Sequence, residues 1–168
     1  IFNGQDENID ELLKHADVAL YRAKDAGRAR LRFFDPAMQA AQDARADMEA
    51  DLREAISQQH FALHYQPQVD FAGNILGAEA LLRWKHHERG EISPAEFIPF
   101  AEECGLIIPI GRWVLQAACA QIKAWSGEDA TRHLRLAINV SSREFRQPDF
   151  VTEVKQVLAD AGADPTRL

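Results

Sequence analysis

The stretch Glu79-Ala80-Leu81-Leu82-Arg83-Trp84 sets a carboxylate and a guanidinium in a short apolar run. Phe71 to Leu76, just before it, reads as a turn entering a strand, and the run is apolar enough for a strand buried on both faces. Charges inside such a strand are costly unless something binds them. Two chemistries meet that demand. In one, Glu79 and Arg83 belong to structural ion pairs at a strand end. In the other, Glu79 ligates a metal ion and Arg83 reaches a phosphate, whose oxygens match the guanidinium fork. Asn139, in Asn139-Val140-Ser141, is the second candidate ligand. Its amide oxygen and the Glu79 carboxylate are the hard oxygen donors that magnesium-like cations take. Asn139 is predicted near the end of a buried strand, Leu134 to Val140, at the C-terminal rim where α/β barrels carry their chemistry.

Other polar clusters read as solvated surface. His86 and His87 lie in a charged loop, Lys85 to Glu91, and adjacent side chains on an extended chain point apart, so they make no joint metal site. Glu102 and Glu103 are neighbours on a helix and face different ways. Cys104 and Cys119 have no metal-binding spacing and read as reduced, buried thiols of a cytoplasmic protein. The 168 residues hold 19 basic and 26 acidic side chains, a net charge of −7, which speaks against a broad DNA- or RNA-binding surface. A nucleotide substrate stays compatible with that charge where a divalent cation supplies local positive charge. No apolar run has the length of a membrane span. The chain opens on Ile1 and closes on Asp164-Pro165-Thr166-Arg167-Leu168, a turn heading for a further strand, so both ends read as cut.

The elements that must position these residues follow from periodicity. Ile1-Phe2 reads as the tail of a strand. Asn8 and Glu11 cap a helix whose Ile9, Leu12, Leu13, Ala16, Ala19, Leu20 and Ala23 share a face, with Gly27 as its C-cap. Arg30 to Phe34 alternates as a short strand. Asp35-Pro36 opens a helix running to Gln59, with Met48, Leu52, Ala55 and Ile56 as its apolar stripe. Phe61 to Val69 and Ile75 to Trp84 flank the turn Asp70 to Asn74 and predict an antiparallel hairpin. Ser93-Pro94-Ala95-Glu96 has the spacing of a capping box for a helix ending at Gly105. Pro109 to Ser126 and Asp149 to Ala161 are further amphipathic helices, the second with Phe150, Val151, Val154, Val157 and Leu158 inward. Alternating strands and helices with short turns give an α/β fold class.

Tyr65-Gln66-Pro67, Glu79-Ala80-Leu81-Leu82-Arg83-Trp84, Ser93-Pro94-Ala95-Glu96-Phe97-Ile98-Pro99 and Asn139-Val140-Ser141, in that order, resemble the EAL family of bacterial cyclic di-GMP phosphodiesterases, from about Asp51 onward. The resemblance implies a partial EAL-type (β/α) barrel with an antiparallel first hairpin. It implies Glu79 as catalytic residue and metal ligand, Asn139 as metal ligand, and Gln66, Leu82 and Arg83 as contacts to cyclic di-GMP. It further implies magnesium or manganese as cofactor, linear pGpG as product, and remaining ligands beyond Leu168, so that these residues alone are inactive. Ala16 to Arg28 resembles the C-terminal helix of a GGDEF (diguanylate cyclase) domain, where residues matching Lys24 and Arg28 contact phosphates. The expected layout is a GGDEF tail over 1–40, a linker helix over 41–58 and the first half of an EAL domain over 59–168. Pairing with a second copy is expected, because half a barrel leaves a sheet edge open. The alternative function is a degenerate EAL module that binds cyclic di-GMP or a protein without hydrolysis.

Overall fold

Phe61–Val69 (β1) and Ile75–His86 (β2) form an antiparallel hairpin whose register sets Gln66 opposite Glu79 and Phe61 opposite Trp84. This is seen in a computed structural model that describes residues 8–25 and 35–168. Asp70 builds the turn. Its Oδ1 accepts from Ala72 N at 2.8 Å and Asn74 N at 2.9 Å, and its Oδ2 accepts from Asn74 Nδ2 at 2.9 Å. These bonds, led by the one from the Asn74 side chain, hold the Asp70 carboxyl below the usual carboxylate range. Pro67 has no N–H to offer a ladder and sits in β1, at the edge of the sheet.

Gly90–Ile92 (β3) pairs antiparallel with Trp84–His86, and Arg135–Ile138 (β4) pairs parallel with Gly77–Ala80. Trp84 stands opposite both Phe61 and Ile92, so β3 lies on the edge of β2 away from β1, and β4 follows along that same edge. Gly77 permits the parallel pairing, because a Cβ there would overlap the Arg135 carbonyl oxygen. Two expectations are corrected here. Lys85 to Glu91 is no free loop: β2 runs on to His86 because β3 returns to pair with it. The strand predicted over Leu134 to Val140 is shorter and mostly unburied, with Leu136 alone buried: β4 covers Arg135–Ile138 and pairs with Gly77–Ala80.

The chain divides into two compact units, Ile1–Met48 and Glu49–Leu168. In the second, Pro94–Cys104 (α3), Ile107–Trp125 (α4), Ser142–Phe145 (α5) and Phe150–Ala161 (α6) join the sheet. Ala78, Ala80 and Leu136 from the sheet meet Leu115, Ala118, Cys119 and Ile122 of α4 and Val157 of α6 in the core. Beside it, Trp84 stacks edge-on to Phe97 with centroids 5.4 Å apart, and Phe61 lies 5.7 Å from Trp113. Gly105 ends α3 in the left-handed region as expected. Ser93 precedes α3 without a side-chain cap bond, and Glu96 pairs instead with Arg89 at 2.8 Å, so the expected capping box does not form. Val151 is 60% exposed, which corrects its inward assignment; the packed stripe of α6 is Val154, Val157, Leu158 and Ala161.

In the first unit Asn8 caps Ile9–Asp25 (α1), its Oδ1 accepting from Asp10 N at 3.4 Å. Ile9, Leu13 and Leu20 of the predicted stripe are exposed, while Val18 and Ala19 are buried. Asp35 Oδ1 accepts from Ala37 N at 2.9 Å and opens Pro36–Gln58 (α2), which runs on into the second unit and buries Leu52 and Ala55 there. Ile1-Phe2, Gly27, Arg28 and the strand expected over Arg30 to Phe34 lie outside the described residues, as does the Glu11 side chain. Both cysteines are free; Cys119 is buried, which pushes its thiol pKa up, and Cys104 is half-buried. Among the described residues no helix is long and apolar enough to cross a membrane.

Candidate active site

Alternation along β2 splits its side chains. Ala78, Ala80, Trp84 and His86 are buried, and Glu79, Leu81 and Arg83 share the other face, half-buried. The strand is therefore not buried on both faces, as its apolar sequence predicts. Gln66, directly opposite Glu79 on β1, lies on the same face and is exposed. Ala137 is the partner of Glu79 on β4, so Asn139, two residues on, falls on that face at the end of the strand. Asn139 Nδ2 donates to Glu79 Oε1 at 2.7 Å. Two residues distant in sequence thus converge at the C-terminal end of neighbouring parallel segments, with Glu79 Oε2 and Asn139 Oδ1 as further oxygens.

Arg83 sits beyond Leu81 along the same face. Its Nε lies 3.3 Å from Glu91 Oε1 on β3, and its Nη1 donates to the Leu82 carbonyl at 2.8 Å. Its side chain keeps 22% exposure. Leu82 faces the other way, opposite Leu63, which packs against the core. A cleft of about 380 Å³ still gathers Leu81, Leu82, Arg83 and Asn139, with Ser141 and Glu144 on its wall. Gln66 and Glu79 are not on that wall, so the predicted residues form two adjoining groups that share Asn139. Among the described residues, no three His, Cys, Asp or Glu side chains stand close enough to hold a metal ion.

The two histidines do not point apart. His86 is 8% exposed, and its ring stacks on His87 at 4.7 Å and 17°. The turn after β2 folds over it: Nδ1 accepts from Glu88 N and Arg89 N at 3.1 Å each. Nε2 lies 3.1 Å from Asp51 Oδ2, at ion-pair distance without hydrogen-bond alignment. Both ring nitrogens thus face protein groups, which makes His86 a tie between α2 and β2 rather than a ligand. Glu91, the partner of Arg83, and Glu144 were not singled out by sequence. Glu144 carried a signal all the same, since Ser141-Ser142-Arg143-Glu144 has capping-box spacing.

The EAL domain family matches residues 49–168. The chain belongs to the EAL family. The sheet and its helices are part of the TIM-like barrel of that family, opening on an antiparallel hairpin. The bifunctional diguanylate cyclase/cyclic di-GMP phosphodiesterase MucR of Pseudomonas aeruginosa is 37% identical over 169 residues, which cover 100% of this chain and 24% of MucR. The cyclic di-GMP phosphodiesterase PdeR of Escherichia coli is 38% identical over 149 residues, covering 89% of this chain and 22% of PdeR. Among solved structures, the PaMucR phosphodiesterase in complex with c-di-GMP superposes with a TM-score of 0.68 at 40% identity, over 73% of this chain and 49% of that one. The Xanthomonas citri FimX EAL domain in complex with c-diGMP gives a TM-score of 0.67 at 28% identity, over 77% and 50%. The EAL chain described here thus spans about a quarter of these curated relatives and half of the solved EAL chains.

Proposed function

We propose that the complete protein is a bacterial signalling enzyme that hydrolyses cyclic di-GMP to linear pGpG by metal-assisted attack of water on one phosphodiester bond. The observation that carries this reading is the 2.7 Å contact between Asn139 and Glu79 on the open face of β2 in an EAL chain. MucR and PdeR are described as cyclic di-GMP phosphodiesterases, and the solved PaMucR and FimX domains hold the dinucleotide. A carboxylate and an amide oxygen side by side suit magnesium or manganese, and Glu79 and Asn139 would hold the ion. When bound, such an ion lowers the pKa of its water and offsets charge on the phosphoryl oxygens. The other oxygen ligands are proposed to come from parts of the complete protein outside these 168 residues, and these residues alone to be inactive.

The chain's own groups divide the remaining work. Arg83 exchanges its contact with Glu91 for a substrate phosphate, where its fork gains two parallel bonds. Gln66 offers an exposed amide to the dinucleotide; Leu82 faces away from Gln66 and Arg83, and on their face of β2 Leu81 is the apolar wall for a guanine. Residues 1–40 are proposed as the tail of a GGDEF module and 41–58 as a linker helix, supported by the alignment of bifunctional MucR along the whole chain. Two free cysteines support a cytoplasmic setting. Association with a second copy, through the EAL part or α2, belongs to the same reading.

Turnover of cyclic di-GMP by the purified complete protein in magnesium or manganese tests the assignment. Linear pGpG is expected from the parent, and Glu79→Gln should reduce its formation to background. Binding of cyclic di-GMP without turnover by the parent would favour the receptor alternative instead. Undiminished turnover in Glu79→Gln would overturn the role of Glu79.

A further inference from the structure

We infer that Glu144 is a positioning residue for Asn139, seating the turn that carries it on α4 and so setting its distance from Glu79. The inference rests on the proposed role of the Glu79–Asn139 pair. Asn139 lies just past a strand of four residues, and both it and Val140 are exposed. Strand pairing alone therefore does not fix it. The next anchor is two residues on, where Ser141 N donates to Glu144 Oε2 at 2.9 Å and Glu144 N donates to Ser141 Oγ at 3.1 Å. Such a box would hold α5 together equally well with its glutamate in water.

Here Glu144 is only 8% exposed. Its carboxylate lies directly on Gly111 of α4, where any Cβ would overlap it. Glycine inside a helix is destabilising relative to alanine, and close approach of another group is a reason for its presence. Asn139, Gly111 and Glu144 line the same cleft. Helix α4 carries the core residues Leu115, Ala118, Cys119 and Ile122, and the same core holds Ala78 and Ala80, which flank Glu79 in β2. The chain of contacts is then continuous: α4 seats Glu144, Glu144 holds Ser141, and Ser141 limits where Asn139 meets Glu79. The part Glu144 plays is to accept a hydrogen bond at fixed depth, which a neutral amide oxygen of the same length also does.

The test compares Glu144→Ala, Glu144→Gln and Gly111→Ala in the complete protein. Two quantities are read: the side-chain amide NMR resonances of Asn139 without metal, and Mn2+ binding from the EPR signal of the free ion. Glu144→Gln should keep both, with Mn2+ affinity within about twofold of the parent, whereas Glu144→Ala and Gly111→Ala should move the Asn139 resonances to those of a free amide and weaken Mn2+ binding about tenfold, as loss of a supporting group does. Unchanged Asn139 resonances in folded Glu144→Ala would overturn the inference, as would a Glu144→Gln protein that behaves like Glu144→Ala. If Glu144→Ala does not fold, Gly111→Ala decides by the same criteria. Asn139 resonances that shift while no form binds Mn2+ would support the positioning role and remove the metal reading. Mn2+ binding by every form with unmoved resonances would do the reverse.

Discussion

The two faces of β2 come from one strand and do opposite things. On one, Ala78, Ala80, Trp84 and His86 are buried against helices and fix the register. On the other, Glu79 and Arg83 are held by Asn139 and Glu91, partners that ordinary ligand chemistry can replace. The packed face supplies the rigidity that the open face needs, because a slip of one residue would exchange the two sets. Stability should therefore reside on one side and chemistry on the other.

The sharpest break of that contrast is Trp84→Ala. Trp84 is fully buried against Phe61 and Phe97, and its loss should cost about 3–5 kcal/mol in urea unfolding. A cost below about 1 kcal/mol, the size of an ordinary surface change, would mean that this face does not hold the strand. Glu79→Gln should change stability by only about 0.5 kcal/mol, since the side chain is half-buried and its replacement keeps an acceptor for Asn139. A large loss of stability there would return Glu79 to the structural ion-pair reading.

The smallest effect belongs to the hairpin turn. Hydrogen bonds lower the Asp70 pKa in the folded chain, so its contribution is present above the unfolded carboxylate pKa and is lost as pH falls through the lowered folded value. Asp70→Ala should reduce stability slightly at neutral pH and flatten the acid limb of a stability–pH curve. An unchanged acid limb would count against a role for these bonds.

What the sequence made legible was local. The hairpin was readable because Phe61, Leu63 and Tyr65 alternate and Asp70 to Asn74 has turn chemistry; a helix end was readable at Gly105, which is left-handed. What it hid depends on partners distant in the chain. His86 is buried because Asp51 and the Glu88–Arg89 turn enclose it, and β4 stops at Ile138, where its pairing with Ala80 ends. Ser93 and Ser141 both head the same four-residue spacing, yet only the second closes its box. Glu96 has Arg89 as a competing partner, whereas Glu144 is held down on Gly111. For the candidate site, the oxygen chemistry of Glu79 and Asn139 and the EAL resemblance named the pair. Their meeting required the parallel register that Gly77 permits.

That meeting is the central claim, and a double-mutant cycle on Mn2+ binding measures it directly. Mn2+ affinity would be determined for the complete parent protein, Glu79→Gln, Asn139→Ala and the double variant. If both side chains contribute oxygens to one ion, each single change should weaken binding, and the double variant should lose clearly less than the sum of the two, a coupling of about 0.5–3 kcal/mol for residues in contact. Strictly additive losses, or a parent whose affinity neither change alters, would contradict a shared site.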